Sequence, residues 1–140
     1  MIPTKTSEVV ENEGLTNDFE FETQPNLTYK LNIDSERVIG YVDQLEAYKQ
    51  AVYKLINTER YDHIIYSWNY GVELRRLFGQ PISYVIPEIE WTITEGVMQD
   101  DRTISVENFE FDTSKRGIVH VKFEATCQYG TATIETDVEV

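Results

Sequence analysis

One cysteine, two histidines, two methionines and four prolines are all that this chain of 140 residues holds of those types. A lone Cys127 excludes an internal disulfide, so the fold must stand on a packed core. His63 and His120 have no cysteine pair and no ligand at metal-binding spacing near them, so no metal site is expected. GxGxxG and Walker loops are missing, and no cofactor is expected. No apolar run approaches the roughly 18 residues that a membrane helix needs. The opening MIPTKTSEVVENEG lacks the basic start and apolar stretch of a signal peptide. The expectation is a soluble chain, cytoplasmic when synthesised.

Positive charge is scarce too. Twelve Lys and Arg stand against 25 Asp and Glu, for a net charge of −13. Such a field repels phosphate backbones and anionic lipid surfaces, so neither nucleic acid nor membrane is expected as a partner. A basic protein surface is the natural complement. A merely well-solvated acidic surface would explain the same number.

What is present suits a folded domain. Hydrophobic residues make up 41% and aromatics 12%, with nine Tyr. A chain of this size buries about two-thirds of its unfolded surface. Residues 1–17, with Glu8, Glu11 and Glu13, read as a flexible acidic arm, and residues 18–140 as one domain. Phe19 and Phe21 alternate with acidic residues in a short strand-like stretch.

Tyr29, Leu31 and Ile33 alternate with polar residues, DSE supplies a turn, and Val38 to Tyr41 returns as the second strand of a hairpin. Asp43 is a good helix N-cap, with Glu46 in capping-box spacing. Leu45, Tyr48, Val52, Leu55 and Ile56 then form a helical apolar stripe. Ile64 to Tyr66 reads either as a short strand or as an irregular buried segment. SWNYG reads as a turn with Gly71 at positive φ, and VELRRLFG as a short helix stopped by Gly79. Ile82, Val85, Ile89, Ile93 and Val97 trace a second helix, which either begins at Pro87 or kinks there. Three strands close the chain, with a bulge expected at Glu107–Asn108. Val119, Val121, Phe123, Ala125 and Cys127 share one face, so Cys127 reads as a small buried hydrophobe. The last strand carries Ala132, Ile134, Val138 and Val140. The fold class expected is α+β, with two main helices on an antiparallel meander, preceded by a hairpin and an extended arm.

Carboxylates are the only plausible catalysts. Glu59, Asp62, Asp100 and Asp101 lie beside the two helix ends. A cell-wall hydrolase of lysozyme type would pair Glu59 with Asp100 or Asp101, two carboxyls about 5–9 Å apart, one with a raised pKa. Arg60 and Arg102 push the other way, towards structural ion pairs. An arginine fork beside a carboxylate makes a good pin for a helix-to-strand corner.

Those same residues carry a resemblance over residues 28–140. The segment NTERYDHIIYSWNYG after the first helix, and MQDDRTISVENFEF after the second, resemble the XkdS-like baseplate proteins of contractile phage tails. More broadly they are similar to the baseplate wedge and sheath-initiator family, which also occurs in type VI secretion baseplates. That family carries Thr-x-x-Gly-Glu-Arg and then a Gly in an aromatic turn. Here Thr58, Glu59, Arg60 and Gly71 match, with the motif's own Gly absent. Its second motif is Glu-Pro-Arg. Asp100, Asp101 and Arg102 stand in those places, without the Pro, and Ile104 follows.

The resemblance implies a non-enzymatic α+β baseplate protein. It implies that the second motif sits against the helical core bundle of the wedge, and that sheet strands template the first ring of sheath protein by strand exchange. Implied partners are baseplate wedge proteins, the first sheath ring, and the tail tube or hub, in the baseplate of a virion or phage-tail-like particle. The partner-binding candidates are Glu59, Arg60, Gly71, Asp100, Asp101 and Arg102, with Ile134, Val138 and Val140 on a terminal edge strand whose main chain is open to strand addition.

Overall fold

The computed structural model describes residues 26–140, so the acidic arm and the Phe19–Phe21 stretch lie outside the described residues. The hairpin forms as expected. β1 (Thr28–Asn32) and β2 (Arg37–Val42) pair antiparallel across a turn in which the Glu36 amide donates to the Ile33 carbonyl at 3.3 Å. Ile39 and Gly40 together oppose Lys30, a bulge that Gly40 accommodates at φ +80°.

α1 (Gln44–Ile56) starts at Asp43, whose carboxylate accepts from the Gln44 amide at 2.7 Å rather than from the Glu46 amide of a capping box. Its stripe buries Tyr48, Val52, Leu55 and Ile56. Beyond it, Ile64 to Tyr66 form neither a strand nor a buried segment. They lie in successive turns, with Ile64 fully exposed. The loop is tied at its two ends, and turn-forming residues on both sides leave no strand for it to pair with. VELRRLFG contracts to one 3-10 turn, Arg75–Leu77, which buries only Leu77 and stops at Gly79 with φ +73°.

α2 (Ile82–Val97) begins well before Pro87, which sits inside the helix. A helix-interior proline costs about 3 kcal/mol. Complete burial of Val85, Ile89, Ile93 and Val97 offsets that cost, and Pro87 itself points to solvent.

β3 (Thr103–Asp112), β4 (Ile118–Cys127) and β5 (Gly130–Glu139) make an antiparallel sheet in that order. The bulge falls at its expected place, between Glu107 and Glu110, with Asn108 at φ +57°. β4 alternates buried and half-buried residues along its whole length, and Cys127 is buried. One core joins both helices to one face of this sheet: α1 lies against β5 and α2, and α2 reaches β3. The class is α+β. No described helix is long and apolar enough to cross a membrane.

Candidate functional site

The first family motif folds into a clasp. The chain leaving α1 pairs side by side with the chain entering the 3-10 turn. The Val72 amide donates to the Thr58 carbonyl at 3.0 Å, and the Arg60 amide to the Val72 carbonyl at 3.1 Å. Gly71 has φ +94°, and a Cβ there would sit 2.5 Å from the Thr58 carbonyl oxygen. Only glycine fits.

Arg60 fastens the clasp to α2. Its Nε and Nη2 donate to the Gly71 carbonyl at 3.2 and 3.1 Å. Nη2 also lies 2.6 Å from Glu95 Oε2, and Nη1 3.5 Å from Glu73 Oε1. The side chain is only 10% exposed. Glu59 is occupied as well: its carboxylate accepts from the Arg75 amide at 3.3 Å, capping the 3-10 turn. Asp62 holds the Arg75 guanidinium with contacts of 2.7 and 3.3 Å.

The second motif is a corner between α2 and β3. Asp100 Oδ1 accepts from the Arg102 amide at 3.0 Å and from Arg102 Nε at 2.9 Å, and Oδ2 meets Nη2 at 2.5 Å. Arg102 Nη1 donates to the Asn26 side chain. The guanidinium carbon stands 5.5 Å from the centre of the Tyr48 ring. Tyr48 in turn bonds Thr103 Oγ1 through its hydroxyl at 2.7 Å. Burial opposes ionisation of Asp100, but the hydrogen bonds from Arg102 outweigh it and hold the carboxyl below its usual value. Asp101, by contrast, is exposed.

The structure therefore splits the candidates into two corners. Arg60 and Arg102 both spend their guanidinium nitrogens inside the protein, and Glu59 and Asp100 are bound by main chain or arginine. A general acid needs a raised carboxyl pKa, and Asp100 is shifted the other way.

Ile134 and Val138 point into the core, and Val140 is half-buried, its amide donating to the Gly117 carbonyl at 3.0 Å. β5 has no neighbour beyond β4 among the described residues, so its outer main chain is open.

Sequence spacing did not disclose how exposed the hairpin is, nor what holds it. Gln50 of α1 acts like a strand: its Oε1 accepts from the Leu31 amide at 2.7 Å and its Nε2 donates to the Tyr29 carbonyl at 2.8 Å. Those groups point away from β2. Tyr29 and Leu31 pair with Tyr41 and Val38. The partners of such non-hydrogen-bonded pairs also face outward, so the Val38 and Tyr41 main chain lies on an edge of β2 that has no neighbour among the described residues. Val38, Ile39 and Tyr41 are each about 60–65% exposed. Glu95, the anchor of Arg60, was equally hidden. Gly96 gave a readable signal, a glycine within a helical stripe. A Cβ there would meet Val72 at 2.6 Å.

Residues 16–130 match the family model described as contractile injection system sheath initiator. The chain is 34% identical over 135 residues to the phage-like element PBSX protein XkdS of Bacillus subtilis (strain 168), covering 87% of this chain and 94% of that protein. The chain belongs to the contractile injection system sheath initiator family.

Proposed function

We propose that this protein bridges the baseplate wedge of a contractile tail to the first ring of sheath subunits, and starts the sheath by strand addition. Membership of the sheath-initiator family gives the coarser part, a structural role at baseplate and sheath. The observation that carries the finer part is the open edge of β2. Its outward Val38 and Tyr41 main chain can pair with an incoming strand, and the exposed Val38, Ile39 and Tyr41 side chains can grip it. β5 offers a second edge through main chain alone, because Ile134 and Val138 are turned inward. Wedge contact falls to the surface around the Asp100–Arg102 corner, where Asp101 is free to meet a basic partner while Arg102 keeps the corner's shape. The tail tube or hub is a further neighbour on this reading.

Val38→Pro tests it. The substitution removes an outward amide at an exposed position and leaves the hairpin's internal bonds in place. Complete baseplates without sheath are expected, and normally sheathed tails would overturn strand addition at β2. Deleting Ile134 to Val140 is a poor test, since it removes two core side chains. Arg102 holds the Asp100 carboxyl below its usual value, the opposite of what a general acid needs, so the purified protein should leave peptidoglycan suspensions turbid. Clearing that disappears in Asp100→Asn would reinstate the enzyme.

A further inference from the structure

α2 and the residue that caps its end, Met98, carry a second apolar line that the core of the described residues does not use. Tyr84, Trp91 and Met98 recur every seven residues, and all three are exposed, at 47%, 61% and 45%. Pro87 and Thr94 fall between them, so the spacing alternates three and four. Seven residues are almost two full turns, so these side chains stand one above another over about 21 Å. Buried Val85, Ile89 and Ile93 point the opposite way. Pro87 also lacks an N–H, so the Ser83 carbonyl has no helical donor four residues on.

The flanks of the line are acidic. Glu88 and Glu95 follow one side and Glu90 the other. Glu88 and Glu95 are held in place by Arg76 and Arg60, at 2.9 and 2.6 Å.

We propose that the outer face of α2 is a docking seam for an α-helix of a partner protein, apolar at three-four spacing and flanked by Lys or Arg. An extended strand would meet a line of helical period at isolated points, whereas a helix laid alongside meets every member. Glu88 and Glu95 are already matched by arginines of this chain, so Glu90, which has no ion pair among the described residues, and the net charge of −13 favour basic residues at the facing positions. The seam uses none of the hairpin's residues. It goes beyond strand addition and shares with it only the premise that the chain works inside a multi-protein particle.

The test places a photoreactive phenylalanine analogue at position 91, and in a separate preparation at position 39, in assembled particles. Cross-linked peptides are then sequenced. Position 91 should capture a segment with apolar residues at three-four spacing and Lys or Arg beside them. No cross-link there, or one to a segment without that pattern, overturns the seam. Position 39 reports on the hairpin independently, so the two ideas fail separately. As a second measurement, Trp91→Glu should lower incorporation into particles at least tenfold while Trp91→Leu keeps it. The helical circular dichroism of the isolated protein should not change, because Trp91 is a surface residue. Unchanged incorporation of Trp91→Glu overturns the seam.

Discussion

Asp100 sits between opposing influences: burial works against its charge, and Arg102 supplies three hydrogen bonds to it. The second wins, so its folded pKa lies below its unfolded value of about 3.9. Its contribution to stability is therefore complete above that unfolded value and is lost as pH falls through the folded one. Asp100→Asn should cost about 1–3 kcal/mol at neutral pH and flatten the acid limb of the stability curve. Chemical denaturation at a series of pH values checks this, and an acid limb that overlays the parent's would contradict it. Arg60→Ala removes the partner of the Gly71 carbonyl and of Glu95, a carboxylate 31% exposed, for a loss of about 1–3 kcal/mol. Gly71→Ala should cost about 2–4 kcal/mol through its positive φ and the 2.5 Å approach to Thr58. Thermal melts of the two variants measure both losses.

At the level of elements, the Gln50 side chain bonds the main chain of β1 to α1. Gln50→Ala should free the Leu31 amide to exchange with solvent faster while the β4 amides stay protected, a contrast that hydrogen exchange reads directly. Uniform loss of protection would mean that the hairpin is part of the core after all. The sequence made much of this level legible. Periods of two and of three to four exposed the meander and both helices, since one face of each is buried. The slip at Glu107–Asn108 was readable as a change of phase. The 61–68 loop was not, because apolar Ile64 and Ile65 imitate a core segment, and only the fold shows both of them exposed among the described residues. Both motif arginines could be located by spacing. Asp100 was readable beside Arg102, but Glu95 and Asn26 were not, since they lie far along the chain and meet the arginines only in the fold.

Across the whole molecule, charge and apolar surface are arranged for company. The net charge of −13 should draw basic partners faster at low ionic strength. Stopped-flow association with a purified wedge or sheath partner should slow as salt rises, while dissociation changes little. An association rate indifferent to salt would remove electrostatic steering from the account. The outer face of the meander is laid out in crosswise rows, Asp112–His120–Asp137 and Glu110–Lys122–Glu135, with an acid on each edge strand and a base in the middle. Each row knits three strands on the side away from the helices. The hairpin has no such rows. A strand bonded to β2 would hang from a two-ply ribbon that enters α1 twice, along the main chain from Val42 through Asp43 and across β1 through Gln50, while the three-stranded sheet stands outside that path. The hairpin is then the mount of the molecule, set apart from the sheet whose pairing it does not share.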